Sequence, residues 1–227
     1  MRSFDPEESP ENQSGARRWW HRPREDIAAA PDEVDGAQPG TVVHEGNLVR
    51  LRRHVAENRA AFQRWYADHD IARLLRHDLQ PLTEMQSLVY FDTSVLSSSA
   101  RGLTCAIHDR VTDELIGTTG LTDLTSGIER SCYFRIVIGE SRYWGRGYGT
   151  EATRLMMLEA FERHNRDVVH LEVFAYNERA IRSYERVGFE KSGEHVEFPS
   201  AQPGELHVLE MNLRRAQFRK PADGESP

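Results

Sequence analysis

The 227-residue sequence contains only two cysteines, Cys105 and Cys132, each inside an apolar, strand-like segment. Two thiols so placed supply neither a disulfide framework nor a zinc-binding set, and both read as reduced core residues. On a strand, Cys105 and His108 fall on opposite faces, which argues against a Cys/His nucleophile. No apolar run approaches the ~20 residues needed to span a bilayer. The opening "MRSFDPEESPENQSGARRWWHRPRE" lacks the apolar stretch of a secretory signal, so the expectation is a cytoplasmic protein without membrane association. A basic surplus is also missing: 29 Lys and Arg stand against 36 Asp and Glu, a formal net charge of -7. Nucleic-acid affinity rests largely on neutralising phosphates, so no nucleic-acid partner is expected, and a cationic substrate is the better match. No repeat of solenoid period is found.

Residues 1–40 and 216–227 are rich in Pro, Glu, Asp, Gly and Ser with little periodic apolar content. They read as disordered tails around one domain over residues 41–215. In the first tail, "RRWWHRPR" (Arg17 to Arg24) is either a docking element or a solvated stretch.

Within the domain, "LVRLRR" (Leu48 to Arg53) alternates as a half-buried strand. "HVAENRAAFQRWYADH" places Ala61, Phe62 and Trp65 at helical spacing, and "LTEMQSLVYFDTSVL" reads as a second helix capped near Thr83. "GLTCAIHD", "ELIGTTGLTDL" and "RSCYFRIVIG" form an antiparallel meander. A helix follows from Thr150 to His164, with Ala152, Leu155, Met156 and Ala160 on one face. "VVHLEVFA" is a strand, Asn177 to Val187 a capped helix ending at Gly188, and "FEKSGEHVEF" and "ELHVLEMNL" two more strands.

The third meander strand runs into "GRGYGT" and so into a helix. Glycines before a helix start leave unpaired backbone N–H groups able to cradle a phosphate. A Walker loop needs Gly-Lys-Ser/Thr, and no lysine is present. A dinucleotide fingerprint needs a glycine where Thr150 stands, in an all-parallel setting that the meander replaces.

The stretch Trp144-Gly145-Arg146-Gly147-Tyr148-Gly149 resembles the acyl-CoA-binding turn of the GNAT N-acetyltransferases, usually Gln/Arg-x-x-Gly-x-Gly/Ala. Trp144 departs from the usual first residue, in the manner of a branch resembling ribosomal-protein alanine and polyamine acetyltransferases. A second motif, "NERAIRSYERVGF", places Asn177, Ala180, Tyr184, Gly188 and Phe189 at the family's spacing. The likeness covers roughly Gly46 to Arg215. It implies an α/β (α+β) GNAT acyltransferase fold: a mixed central sheet of about seven strands, with flanking helices and splayed middle strands, one ending at Ile138 and the other starting near Val168.

It further implies acetyl-CoA as acyl donor, with no metal. Its pantetheine arm would lie along Ile136, Val137 and Ile138 as an extra strand. Its pyrophosphate would meet backbone N–H groups of Arg146, Gly147, Tyr148, Gly149 and Thr150. The Arg146 side chain adds charge there or points to solvent. Asn177 contacts the pantetheine arm, caps the helix, or does both in different states.

Acetyl transfer needs a neutral amine, yet an amine of pKa ~10 is protonated at neutral pH, so a base is required. A proton donor near sulfur helps the coenzyme A thiolate leave. Tyr184 matches the family's thiol-protonating tyrosine, the reading the motif favours, although it also sits in an apolar stripe with Ala180, Ile181 and Val187 that would suit a core aromatic. Glu172, twelve positions earlier, matches a family base; strand alternation sets it with His170 and Phe174, facing the helices, the slot or solvent. Glu140, His195, His207 and Glu210 are lesser candidates.

The likeness places the acceptor between about Trp65 and Val95 and at "FPSAQPGE". Asp68, Asp70, Asp78 and Glu84, with Glu194, Glu197 and Glu205, would suit a cation there or merely solvate the surface. Three functions follow: acetylation of a small amine by direct transfer in a ternary complex, acetylation of a protein N-terminus or lysine, or acyl-CoA binding without catalysis. A homodimer is compatible with each.

Overall fold

The structure, a computed structural model, describes residues 38–125, 128–199 and 203–219. The "RRWWHRPR" stretch and most of both tails lie outside the described residues. Strands β1 (Val42–Glu45) and β2 (Val49–Arg52) form a hairpin, followed by a 3-10 turn (Ala56–Asn58) and helix α1 (Arg59–Tyr66). Helix α2 (His69–Leu75) begins at Asp68, whose carboxylate accepts the N–H groups of Asp70 and Ile71. Helix α3 (Glu84–Tyr90) is capped by Thr83 and Gln86, each side chain satisfying the other's backbone N–H. It continues through a π turn (Phe91–Leu96) into α4 (Ser97–Ala100).

Strands β3 (Thr104–Asp109), β4 (Leu115–Thr122) and β5 (Ser131–Ile138) are the expected meander. Helix α5 (Tyr148–Leu158) ends in a π turn (Glu159–Arg163). Then come β6 (Val168–Phe174), α6 (Glu178–Val187), β7 (Glu190–Glu197) and β8 (Leu206–Arg214). The sheet order is β1-β2-β3-β4-β5-β6-β8-β7, mostly antiparallel, with β5 and β6 parallel. The sheet has eight strands rather than about seven because the short β1 adds an edge. Such a GNAT-like mixed sheet is the architecture expected above. Among the described residues no helix is long and apolar enough to cross a membrane.

Alternation along β5 divides the core. Ile136 and Ile138 pack with α5 residues Ala152 and Met156, whereas Val137 belongs with Phe62, Trp65 and Phe91 of the α1–α3 side. Beyond Arg215, the ring of Phe218 packs on Phe161 with centroids 5.3 Å apart.

Candidate active site

Strands β5 and β6 pair over three positions, Ser131 with Val168, Cys132 with Val169 and Tyr133 with His170. Past these, β5 continues along β4 to Ile138 and β6 continues along β8 to Phe174. The two strands therefore part while each stays hydrogen-bonded on its other side. A cavity of about 250 Å³ fills the gap, lined by Ile136, Val137 and Ile138 on β5, by Glu172 on β6, and by Asn177 and Tyr184 beside α6. Gly145, Gly147, Gly149 and Thr150 close one end, so most of the residues singled out by the motifs meet in one place.

The turn is built on left-handed backbone. Gly145 has φ +71° and Gly147, the N-cap of α5, has φ +89°. No protein atom lies within 4 Å of where a Cβ on Gly145 would sit. Its glycine therefore serves the backbone conformation and leaves open space beside the turn. The Tyr184 ring lies edge-on to Phe134 and Phe189, with centroids 6.3 and 6.0 Å away, so it packs in the core and also lines the cavity. Burial pushes its phenol pKa upward, which keeps the proton on oxygen.

Burial also raises the Glu172 carboxyl above the ordinary carboxylate range, partly offset by His77 and His195. Of the three faces open to Glu172, it takes the one toward the cavity and the loop after α2, with Oε2 3.6 Å from His77 Nε2. Asn177 lines the cavity and also caps α6, its Oδ1 accepting the Ala180 N–H at 3.3 Å. Thr150 is tied to α6 by a 2.8 Å hydroxyl contact with Ser183.

Two side chains turn away from the cavity. Arg146 is exposed and donates to the Arg142 carbonyl at 3.4 Å. Tyr148 donates its hydroxyl to Asp109 at 2.8 Å and lies edge-on to Tyr143. Only their backbone faces the turn. Of the lesser candidates, Glu140 accepts from Trp65 at 3.0 Å and from Arg64, and these bonds outweigh burial and lower its pKa. His207 is about half exposed, between Glu194 and Glu205. Neither lines the cavity. The acidic residues of the expected acceptor segments do not line it either; Asp68 is a helix cap and Asp78 pairs with Arg76.

Three cavity residues that the sequence reading gave no role in the site stand out. Trp144 lines the cavity and donates its indole N–H to the Ile138 carbonyl at 2.7 Å. Arg179 stacks over that indole at 3.9 Å and also lines the cavity. A signal for Arg179 existed: a cation in the first turn of a helix opposes the dipole and calls for a compensating anion. His77 carried no such signal, since its nearest partner, Glu197, is 120 positions away.

Residues 49–190 match the family model described as an acetyltransferase (GNAT) domain. The chain belongs to the GNAT acetyltransferase family. No curated protein matches it. Among solved structures, spermidine N-acetyltransferase from Vibrio cholerae in complex with CoA and spermine is 18% identical. That match has a TM-score of 0.64 and covers 76% of this chain and 98% of that one. Ribosomal-protein-S5-alanine acetyltransferase from Vibrio fischeri gives 16% identity, a TM-score of 0.62 and coverage of 78% and 98%. Mycobacterium smegmatis RimJ in complex with CoA-disulfide gives 18%, 0.60, and 78% and 85%. At these identities the likeness is one of fold.

Proposed function

We propose that the chain transfers an acetyl group from acetyl-CoA to the primary amine of a small cation, with both substrates bound at once. The observation that carries this reading is the single cavity in which the glycine turn, the unpaired length of β5, Tyr184 and Glu172 meet. Acetyl-CoA supplies the thioester. Backbone N–H groups from Arg146 to Thr150 bind its pyrophosphate, with Arg179 rather than Arg146 supplying the nearby positive charge. Ile136, Val137 and Ile138 offer the unpaired strand edge to the pantetheine arm, and Asn177 stands at its end.

Tyr184 holds the proton that the departing thiol needs. Glu172 removes the proton from the attacking ammonium. A carboxylate with a raised pKa is better matched to that task near neutral pH than an ordinary one. Its charge, backed by Glu197 and Glu210, favours a cationic acceptor. The solved structures that hold CoA and CoA-disulfide support the donor, and the one that also holds spermine supports the acceptor class.

The test is a calorimetric titration with acetyl-CoA followed by thiol release across spermine, spermidine, aminoglycosides, amino acids and basic peptides. Saturable binding with turnover on a small polyamine or aminoglycoside is expected. Turnover confined to peptides moves the acceptor to a protein N-terminus or lysine. Binding without turnover leaves an acyl-CoA-binding domain, and no binding removes the role given to the turn.

A further inference from the structure

We propose that His77, fixed by Glu197, receives from Glu172 the proton that Glu172 takes from the amine. The inference rests on the acetyl-transfer reading and deepens it. His77 lies in the loop between α2 and α3 and lines the cavity. Its Nδ1 is 2.6 Å from Glu197 Oε2 on β7, and its Nε2 points toward Glu172 on β6. A carboxylate bound to Nδ1 holds the neutral ring with its proton there, leaving a lone pair on Nε2 for the cavity side.

Glu197 is itself braced. Its Oε1 lies 3.3 Å from His195 Nε2, and His195 Nδ1 lies 3.0 Å from Glu210 Oε1. Carboxylate and imidazole thus alternate through Glu172, His77, Glu197, His195 and Glu210, from the cavity toward the surface. Side-chain exposure is 19% at Glu172 and 48% at Glu210. The sheet makes room for this arrangement. Glu172 and Glu210 are direct partners on β6 and β8, a like-charge pairing that costs stability unless positive charge is supplied nearby. Gly193, on β7, faces Glu210 on β8, and a Cβ there would lie 2.7 Å from the carboxylate, so its glycine lets Glu210 lie across β7 toward His195.

The proton balance is simple. The ammonium N–H breaks as an O–H forms on Glu172. That O–H then breaks as Nε2–H forms on His77, leaving carboxylate and imidazolium. The imidazolium stands between two carboxylates, which stabilise it, and Glu172 is again a base. Between turnovers His77 releases the proton to water at the cavity mouth. The 3.6 Å step from Glu172 to His77 is longer than a hydrogen bond, and the relay requires it to shorten when substrate binds. His77 acts through Glu172 and is a positioning residue. The Phe174 ring, edge-on at 5.2 Å, and the Arg76–Asp78 ion pair flank it.

The groups that face Glu172 define the pH test: His77 from the loop, Glu197 and His195 from β7, and Glu210 from β8. Thiol release from acetyl-CoA with spermine is followed from about pH 5.5 to 9 for the wild type, His77→Gln and Glu197→Gln. Calorimetric binding of acetyl-CoA confirms that each is folded. His77→Gln is expected to lower kcat by about tenfold or more and to change the shape of the acid limb, because one of two coupled proton acceptors is gone. Glu197→Gln should show a smaller loss, and imidazole should restore part of the rate of His77→Ala. An active wild type whose His77→Gln variant keeps its rate and pH profile overturns the relay alone. A wild type that releases no thiol with any amine overturns the acetyl-transfer reading and the relay with it. Should the variants fail to fold, histidine ring NMR of the wild type decides, with His77 assigned through its contact with Phe174. A neutral ring protonated at Nδ1 supports the relay, and the Nε2 tautomer overturns it.

Discussion

The carboxylate of Glu151 accepts the backbone N–H of Leu48 at 2.7 Å, joining residues 103 positions apart. It also accepts from Asn47 at 2.8 Å and Val49 at 2.7 Å. Glu151 lies in the first turn of α5, just past the glycines, and is 4% exposed. One buried acid therefore fastens the glycine turn to the β1–β2 hairpin. Gly46 belongs to the same joint, since a Cβ there would meet the Glu151 carboxyl at 2.5 Å.

Removing that acid leaves three N–H groups without their acceptor. Each buried group so orphaned costs about 1–3 kcal/mol, with some recovered by water entry. Glu151→Ala is expected to lower unfolding free energy by about 3 kcal/mol or more, read as a lower urea midpoint at unchanged slope. A loss below about 0.5 kcal/mol would show that the joint contributes nothing beyond an ordinary surface residue.

The coenzyme's charge partner is separable by two substitutions. Arg179 lines the cavity above Trp144, while Arg146 is exposed and bonded to a carbonyl. Arg179→Gln is expected to weaken acetyl-CoA binding about tenfold, equivalent to about 1.4 kcal/mol, with a shallower salt dependence. Arg146→Gln should change it by less than about threefold. Calorimetry at two ionic strengths checks both, and the reverse ranking returns the role to Arg146.

Much of this arrangement was legible along the chain, and what was not has identifiable causes. Helix α6 could be bounded because Asn177 caps it and Gly188, at φ +108°, ends it. The turn, α5 and the parting of β5 and β6 followed from local motifs and the family pattern. Helix α2 was not read from the sequence, although Asp68 was available as a cap. The second helix is interrupted by a π turn over Phe91–Leu96, where β-branched and aromatic residues blurred the period. The direction of Glu172 and the place of His77 depend on β7, β8 and a loop meeting in space, which no local spacing encodes.

The buried ring of His54 gives the fold a pH dependence of known sign. Its Nε2 lies 2.9 Å from Thr118 Oγ1, its ring is edge-on to Phe91, and burial lowers its pKa from 6.5 to about 4. Between those values the unfolded chain binds more protons than the folded one, so stability is lost as pH falls. The loss by pH 4 is on the order of 3 kcal/mol. His54→Gln should be less stable than wild type at pH 7 yet show a flatter decline on acidification. Parallel pH curves for the two proteins in urea titrations would remove His54 as the source.

Tyr184 separates chemistry from binding. Its ring contacts Phe134 and Phe189, and phenylalanine preserves both, so Tyr184→Phe should fold and bind acetyl-CoA as before. What is lost is an O–H whose proton is held by burial beside the gap between β5 and β6. General acid catalysis contributes about 10²–10⁴-fold, and a water entering the space recovers part of it, so kcat should fall at least about tenfold. Loss in kcat with calorimetric affinity intact places the hydroxyl at the departing sulfur. Equal turnover leaves Tyr184 as a core aromatic. A parallel fall in affinity makes it part of the coenzyme's binding wall, because only an interaction gained in the transition state lowers kcat without touching the ground-state complex.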